Sequence, residues 1–205
     1  MPVVVLDPAW KSANITLTGG NLIATLTGTV TSSAARCGTP YRSSTYPARY
    51  MEVTLTNHVG TTTPVLSIMP AANYTSSSLN TTFATVIRPN AGVWTTYRNG
   101  TLDFASAVAP STGQVIGIVL NNQAATVAFY AGGTLVRTVA QFGNPITDLV
   151  FAASLSTAAE AVTVNFGATA FTYAPPAGSI PWQDDKFHAV LGAVHSPRPV
   201  YHLGL

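Results

Sequence analysis

The chain has 205 residues, of which 8% are charged and 47% apolar, and its formal net charge is +2. Average soluble proteins are about 25% charged and disordered ones are charged and poor in aromatics, so this is a folded domain whose polar surface comes from Thr, Ser, Asn and Gln. Missing Glu/Lys heptads exclude a coiled coil, and no apolar run approaches the roughly 20 residues of a membrane-spanning helix. Lys11, Arg36, Arg42, Arg49, Arg88, Arg98, Arg137, Lys186 and Arg198 are scattered along the chain. They form no basic stripe, so neither nucleic-acid binding nor membrane insertion is expected. Cys37 stands alone and has no partner for an internal disulfide. The opening MPVVVLDPAW lacks the basic stretch and small-residue cleavage site of a signal peptide, so no export is expected.

In chain order, Ile15 and Leu17 alternate with Thr before Gly19-Gly20, and residues 22–26 run back, which predicts a tight hairpin. In 49–57, Met51, Val53 and Leu55 alternate with Tyr50, Glu52, Thr54 and Thr56, the period of a strand with one buried face. Further strands are predicted at 64–69, 83–88, 93–98, 115–121, 125–130, 134–139, 148–156 and 160–166. Asn99-Gly100 is the strongest turn signal, because a type I′ turn needs positive φ at both central residues. Short strands with turns every 8–12 residues predict an all-β sandwich of two antiparallel sheets. Its core should include Ile116, Ile118, Leu120, Val127, Phe129, Val162, Val164 and Phe166 beside the three residues of 49–57. After the Pro-Pro-Ala-Gly at 175–178 the composition changes. Phe187, Val190, Leu191 and Val194 recur at helical spacing, and Pro197 and Pro199 end that pattern ahead of Val200, Tyr201, Leu203 and Leu205. The expected division is therefore a sandwich over 1–182 and a C-terminal arm over 183–205 that docks on another subunit or on a particle.

Five blocks in order resemble a known family: WKSANITLTGGNLIATLTG from Trp10, RYMEVTLTN, TTYRNGTL, GQVIGIVLNNQAATVAFYAGGTLV and VTVNFGATAFTYAPPAG. Together they are similar to SPRY domains of the phage and bacterial type. The resemblance implies a concanavalin A-like sandwich and non-enzymatic recognition through loops at one end. Gln114 stands where an Asp is usual, and Ala128 where a Trp is common.

No catalytic constellation is legible. Of the seven carboxylates only Asp184 and Asp185 are close in sequence, and Glu52 reads as a structural position on a strand face. There is no G-x-S-x-G turn and no phosphate-binding loop. His188, His195 and His202 recur every seven residues, but the prolines between them break any helix, so neither a metal nor another cofactor is expected. Tyr41, Tyr46, Asn73 and Tyr74 lie in turn-rich segments, where a rigid sandwich carries its binding groups, and are the candidate ligand-binding residues. The candidate assembly residues are Phe187, Val190, Leu191, Val194, Tyr201 and Leu203. Low charge, abundant Thr, Ala and Gly, and the apolar arm resemble fibre and capsid proteins. The expectation is a non-enzymatic virion subunit of a phage, in a tail, fibre or head decoration. Its partners would be copies of itself, other virion proteins and, in host attachment, a surface glycan. The alternatives are a carbohydrate-binding module and a peptide-binding adaptor.

Overall fold

The structure, a computed structural model, describes residues 4–28, 32–41, 48–75, 83–142 and 148–183. In chain order the strands are β1 (Leu6–Lys11), β2 (Ile15–Thr18), β3 (Ile23–Leu26), β4 (Ser33–Cys37), β5 (Ala48–Asn57), β6 (Val65–Pro70), β7 (Thr85–Asn90) and β8 (Val93–Arg98). They continue with β9 (Thr101–Ala105), β10 (Val115–Asn121), β11 (Thr126–Ala131), β12 (Thr134–Ala140), β13 (Leu149–Leu155), β14 (Ala161–Asn165) and β15 (Ser179–Pro181). A single turn of 3-10 helix, Ala71–Asn73, follows β6. No helix among the described residues is long and apolar enough to cross a membrane.

Two sheets form. One is seven-stranded in the order β1-β4-β13-β6-β7-β8-β9, and the other runs β12-β11-β10-β5-β14-β3-β2. Every pairing along both paths is antiparallel, as the alternating sequence predicts. The exception lies off the path: β15 runs parallel to the first residues of β5, with Ser179 opposite Ala48 and Pro181 opposite Tyr50. The ten-residue β5 thus carries β15 and β14 in succession on one edge and β10 on the other.

The inner faces meet as predicted. Met51, Val53, Leu55, Ile116, Ile118, Leu120, Val127, Phe129, Val162, Val164 and Phe166 are all at most 1% exposed. Phe166 meets Phe151 of the facing sheet edge to face, with ring centroids 6.1 Å apart, a geometry aromatic pairs prefer. Trp94, fully buried, donates its indole N–H to Gln114 Oε1 at 2.8 Å, so its one polar atom is satisfied. The Asn99-Gly100 turn has φ of 51° and 79°, the positive pair a type I′ turn requires. The first hairpin is longer than predicted. Thr18 pairs with Ile23, so Gly19, Gly20, Asn21 and Leu22 all lie in the connection.

The sequence patterns also missed four strands. β4 reads Ser-Ala-Ala-Arg-Cys and is buried along its whole length, so no polar face alternates with an apolar one. β1 and β9 are mostly exposed edges. β15 has three residues, too few for a period to show. The predicted helix and the arm residues, Phe187, Val190, Leu191, Val194, Tyr201 and Leu203 among them, lie outside the described residues.

Phe129 is the most informative probe of this core. Phe129→Ala is expected to lower unfolding free energy by about 3–5 kcal/mol in urea denaturation, the range for deleting a fully packed aromatic.

Candidate functional site

The chain gathers its candidate residues at the end of the sandwich where β5 begins and β10 ends. Tyr41 forms a bridge to Leu149 at the start of β13. The Ala71 N–H, just past β6, donates to the Asp148 carbonyl at 2.9 Å. Asn73 and Tyr74 follow within the same connection. Tyr41, Asn73 and Tyr74 therefore share one end, and Tyr46 lies outside the described residues.

Their environments differ. Tyr41 is buried, its ring centroid 6.0 Å from that of Trp182, which in turn contacts Phe166 at 6.4 Å. The Arg49 guanidinium lies 5.7 Å from the Tyr41 centroid and donates from Nη1 to the Pro181 carbonyl at 3.0 Å. This inner stack joins the start of β5 to β15. Asn73, by contrast, is exposed, and the Tyr74 ring is buried beside it.

Tyr74 leads to two residues that the sequence patterns did not single out. Its hydroxyl donates to the Trp10 carbonyl at 2.8 Å, reaching from β6 past β13 and β4 to β1. Between them lies Arg36, its guanidinium carbon 4.1 Å from the Trp10 ring centroid and 5.6 Å from that of Tyr74. A bulge puts Trp10 there. Leu6 pairs with Cys37 and Lys11 with Ala35, so Asp7, Pro8, Ala9 and Trp10 together face the single residue Arg36. Asp7 Oδ1 accepts the Ala9 N–H at 2.9 Å and fixes the turn. Burial pushes the Tyr74 phenol up, and Arg36 offsets part of that rise. The register places Arg36 on the outer face of its sheet, opposite Ala152, because the neighbouring Phe151 points into the core. Arg36 is only 6% exposed, whereas Trp10 is 47% exposed. Among the described residues the Arg36 Nε and Nη1 have no hydrogen-bond partner. A lone Arg within an Ala-Ala-Arg-Cys run, and a Trp behind Asp-Pro, are the signals that mark this pair.

On the opposite sheet Glu52 is 2% exposed. Its Oε2 accepts the Thr172 N–H and its Oε1 the Tyr173 N–H, both at 2.8 Å, and Oε1 also takes the Tyr50 hydroxyl at 3.0 Å. Burial and this carboxylate push the Tyr50 phenol up. Tyr50 crosses Gly117, where any Cβ would come within 2.8 Å of the phenol oxygen. The structural reading of Glu52 fits these contacts.

At the far end Glu160, fully buried, accepts the Ser156 N–H at 3.1 Å, and its Oε1 lies 3.9 Å from His58 Nδ1. The Ser156 hydroxyl pairs with Thr63 Oγ1 at 2.9 Å and not with the imidazole. No group of three or more His, Cys, Asp or Glu side chains that would hold a metal forms among the described residues. His188, His195 and His202 lie outside them. Cys37 is buried, and burial pushes its thiol up to about 12, so no thiolate forms there near neutral pH.

No family model matches the chain, and no curated protein matches it. Solved structures do. The TRIM65 PSpry domain aligns with a TM-score of 0.59 at 12% identity, covering 80% of this chain and 89% of that one. The SPRY domain of human HERC1 gives 0.58 at 16% identity, covering 80% and 99%. A human SPRY domain gives 0.58 at 15%, covering 77% and 98%. The fold is thus that of the SPRY domains, a concanavalin A-like sandwich.

Two variants test these contacts. Glu52→Ala is expected to cost about 2–3 kcal/mol in urea denaturation, since charge-assisted bonds are each worth about 1.5–3 kcal/mol and the freed N–H groups regain water. The same variant should be cut by protease within 167–178, as read by mass spectrometry. For Cys37, the ordinary thiol value is 9.0 and the folded value is about 12, so the unfolded chain loses its proton first. Stability held by the neutral thiol is complete below pH 9.0 and is lost as pH rises from there toward 12. Cys37→Ala should flatten the fall in urea midpoint between about pH 9 and about pH 10.

Proposed function

We propose that the protein is a non-enzymatic recognition module that holds a protein partner at its loop end. In this reading it serves as a structural subunit of a phage virion, in a tail, fibre or head decoration, and takes part in host attachment. The observation that carries the recognition reading is a half-exposed Trp10 stacked on a buried Arg36 whose Nε and Nη1 have no hydrogen-bond partner among the described residues, on the outer face of the sheet and joined through Tyr74 to the loop-end connection that carries the exposed Asn73. The likeness in fold to SPRY domains supports it. The virion assignment is supported by the sequence blocks of phage and bacterial type, by the low charge, and by the apolar composition of 187–205. Copies of the chain and other virion proteins are the partners it implies. A glycan is the second reading, favoured by the half-exposed Trp10, an aromatic of the kind on which sugar rings stack.

A photo-crosslinking side chain at Asn73, and another at the exposed Val59 of the far end, tests this in particles purified from the source culture. Adducts to virion proteins from Asn73 and not from Val59 are expected. Equal yields from both ends, or none from Asn73, overturn the loop-end reading. Absence of the protein from the purified particles by mass spectrometry overturns the virion assignment. A glycan array that binds while Asn73 gives no protein adduct selects the second reading.

A further inference from the structure

We infer that the Trp10–Arg36–Tyr74 stack receives a single carboxylate of a protein partner, an Asp or Glu side chain that enters beside the indole. The inference rests on the recognition reading above and names the chemistry that the surface takes.

The argument begins with charge. A buried guanidinium is costly unless it is paired and hydrogen-bonded. Arg36 falls short on both counts among the described residues: its Nε and Nη1 have no hydrogen-bond partner, and no ion pair joins it to a carboxylate. Asp7, in the bulge facing it, turns Oδ1 to the Ala9 N–H. Lys11, the one cation on β1, donates to the Ser12 carbonyl at 3.3 Å and adds positive charge to the same edge. Two ring faces offset part of the cost, each by about 0.5–2 kcal/mol, but rings cannot accept the N–H groups in their own plane. What remains unfilled is an acceptor that carries negative charge.

Access decides which acid. The stack has one fixed wall and one open wall. Tyr74 is buried and tied through its hydroxyl to the Trp10 carbonyl, whereas the Trp10 side chain is half exposed on a bulged edge strand. A carboxylate must pass the indole to reach a guanidinium that is 6% exposed. An Asp or Glu side chain carries its carboxylate on a slender methylene stem and fits that path. A uronic acid carries it directly on a pyranose ring, so the whole ring would have to follow it past the indole.

The test uses the full chain labelled with nitrogen-15, following the Arg36 Nε–H and Trp10 Nε1–H resonances. The probes are the peptide acetyl-Ala-Glu-Ala-amide, its Gln twin, and glucuronate, all at matched ionic strength. The Glu peptide is expected to shift both resonances saturably, and the Gln twin to leave them in place. Arg36→Met, checked for folding by its thermal melt, should bind the Glu peptide about tenfold more weakly, while Lys11→Ala stays within about twofold. Equal shifts from both peptides, or none from the Glu peptide, overturn the proposal. Tighter binding of glucuronate than of the Glu peptide overturns it in favour of an acidic polysaccharide. Should Arg36→Met fail to fold, the Glu and Gln titrations of the unaltered protein decide the matter by themselves. If the titration fails while Asn73 still captures virion proteins, the acid is wrong and the recognition reading stands.

Discussion

One carboxylate on the central strand organises much of the molecule. Glu52 points away from the core while its neighbours Met51 and Val53 point into it. By holding the Thr172 and Tyr173 N–H groups, it pins the segment after β14 across the outside of the sheet. That fixes the approach to β15, and β15 places Trp182 against Phe166 and Tyr41. The inner wall of the loop end is thus set from the opposite face of the sheet. A charge in that position is tolerated because three donors hydrogen-bond the carboxylate and offset its desolvation.

Scarcity of charge shapes the rest of the hydrogen bonding. With few Lys, Arg, Asp and Glu, contacts between segments far apart in sequence are made by hydroxyls: Thr56 with Thr163 at 2.6 Å, Ser32 with Ser154 at 2.9 Å and Thr63 with Ser156 at 2.9 Å. Hydroxyls both donate and accept, so such pairs satisfy each other without a counter-ion. The Arg137–Asp103 pair, 2.9 Å apart and partly exposed, joins the edges β12 and β9 and adds little by itself. Against this background Arg36, whose Nε and Nη1 have no acceptor among the described residues, stands out.

How much was legible depended on whether a residue followed a period. Alternation located β5, β10, β11 and β14 and their core residues, because each has one face in the core and repeats every second residue. It failed on β4, which is buried throughout, and on β1, whose bulge breaks the count at Asp7 and Pro8. The loop-end residues were legible in part. Turn composition pointed to Tyr41, Asn73 and Tyr74, but not to the difference between a tyrosine packed on Trp182 and an asparagine in solvent. Trp10 and Arg36 escaped because their meeting depends on a bulge and on a contact across strands, and neither has a local period.

The parallel pairing of β15 with β5 has a mechanical consequence. The chain leaves the described fold at Gln183, whose N–H donates to the Phe166 carbonyl at 2.9 Å, just after the Trp182 N–H donates to Tyr50 at 2.8 Å. Tension applied beyond that point and along the strand loads these bonds and the β15–β5 pairing in shear, so they share the force and do not open one after another. Trp182, wedged between Phe166 and Tyr41, must leave its packing before the strand can slip. A pull along the strand beyond Gln183 is therefore passed into β5, the central strand of its sheet.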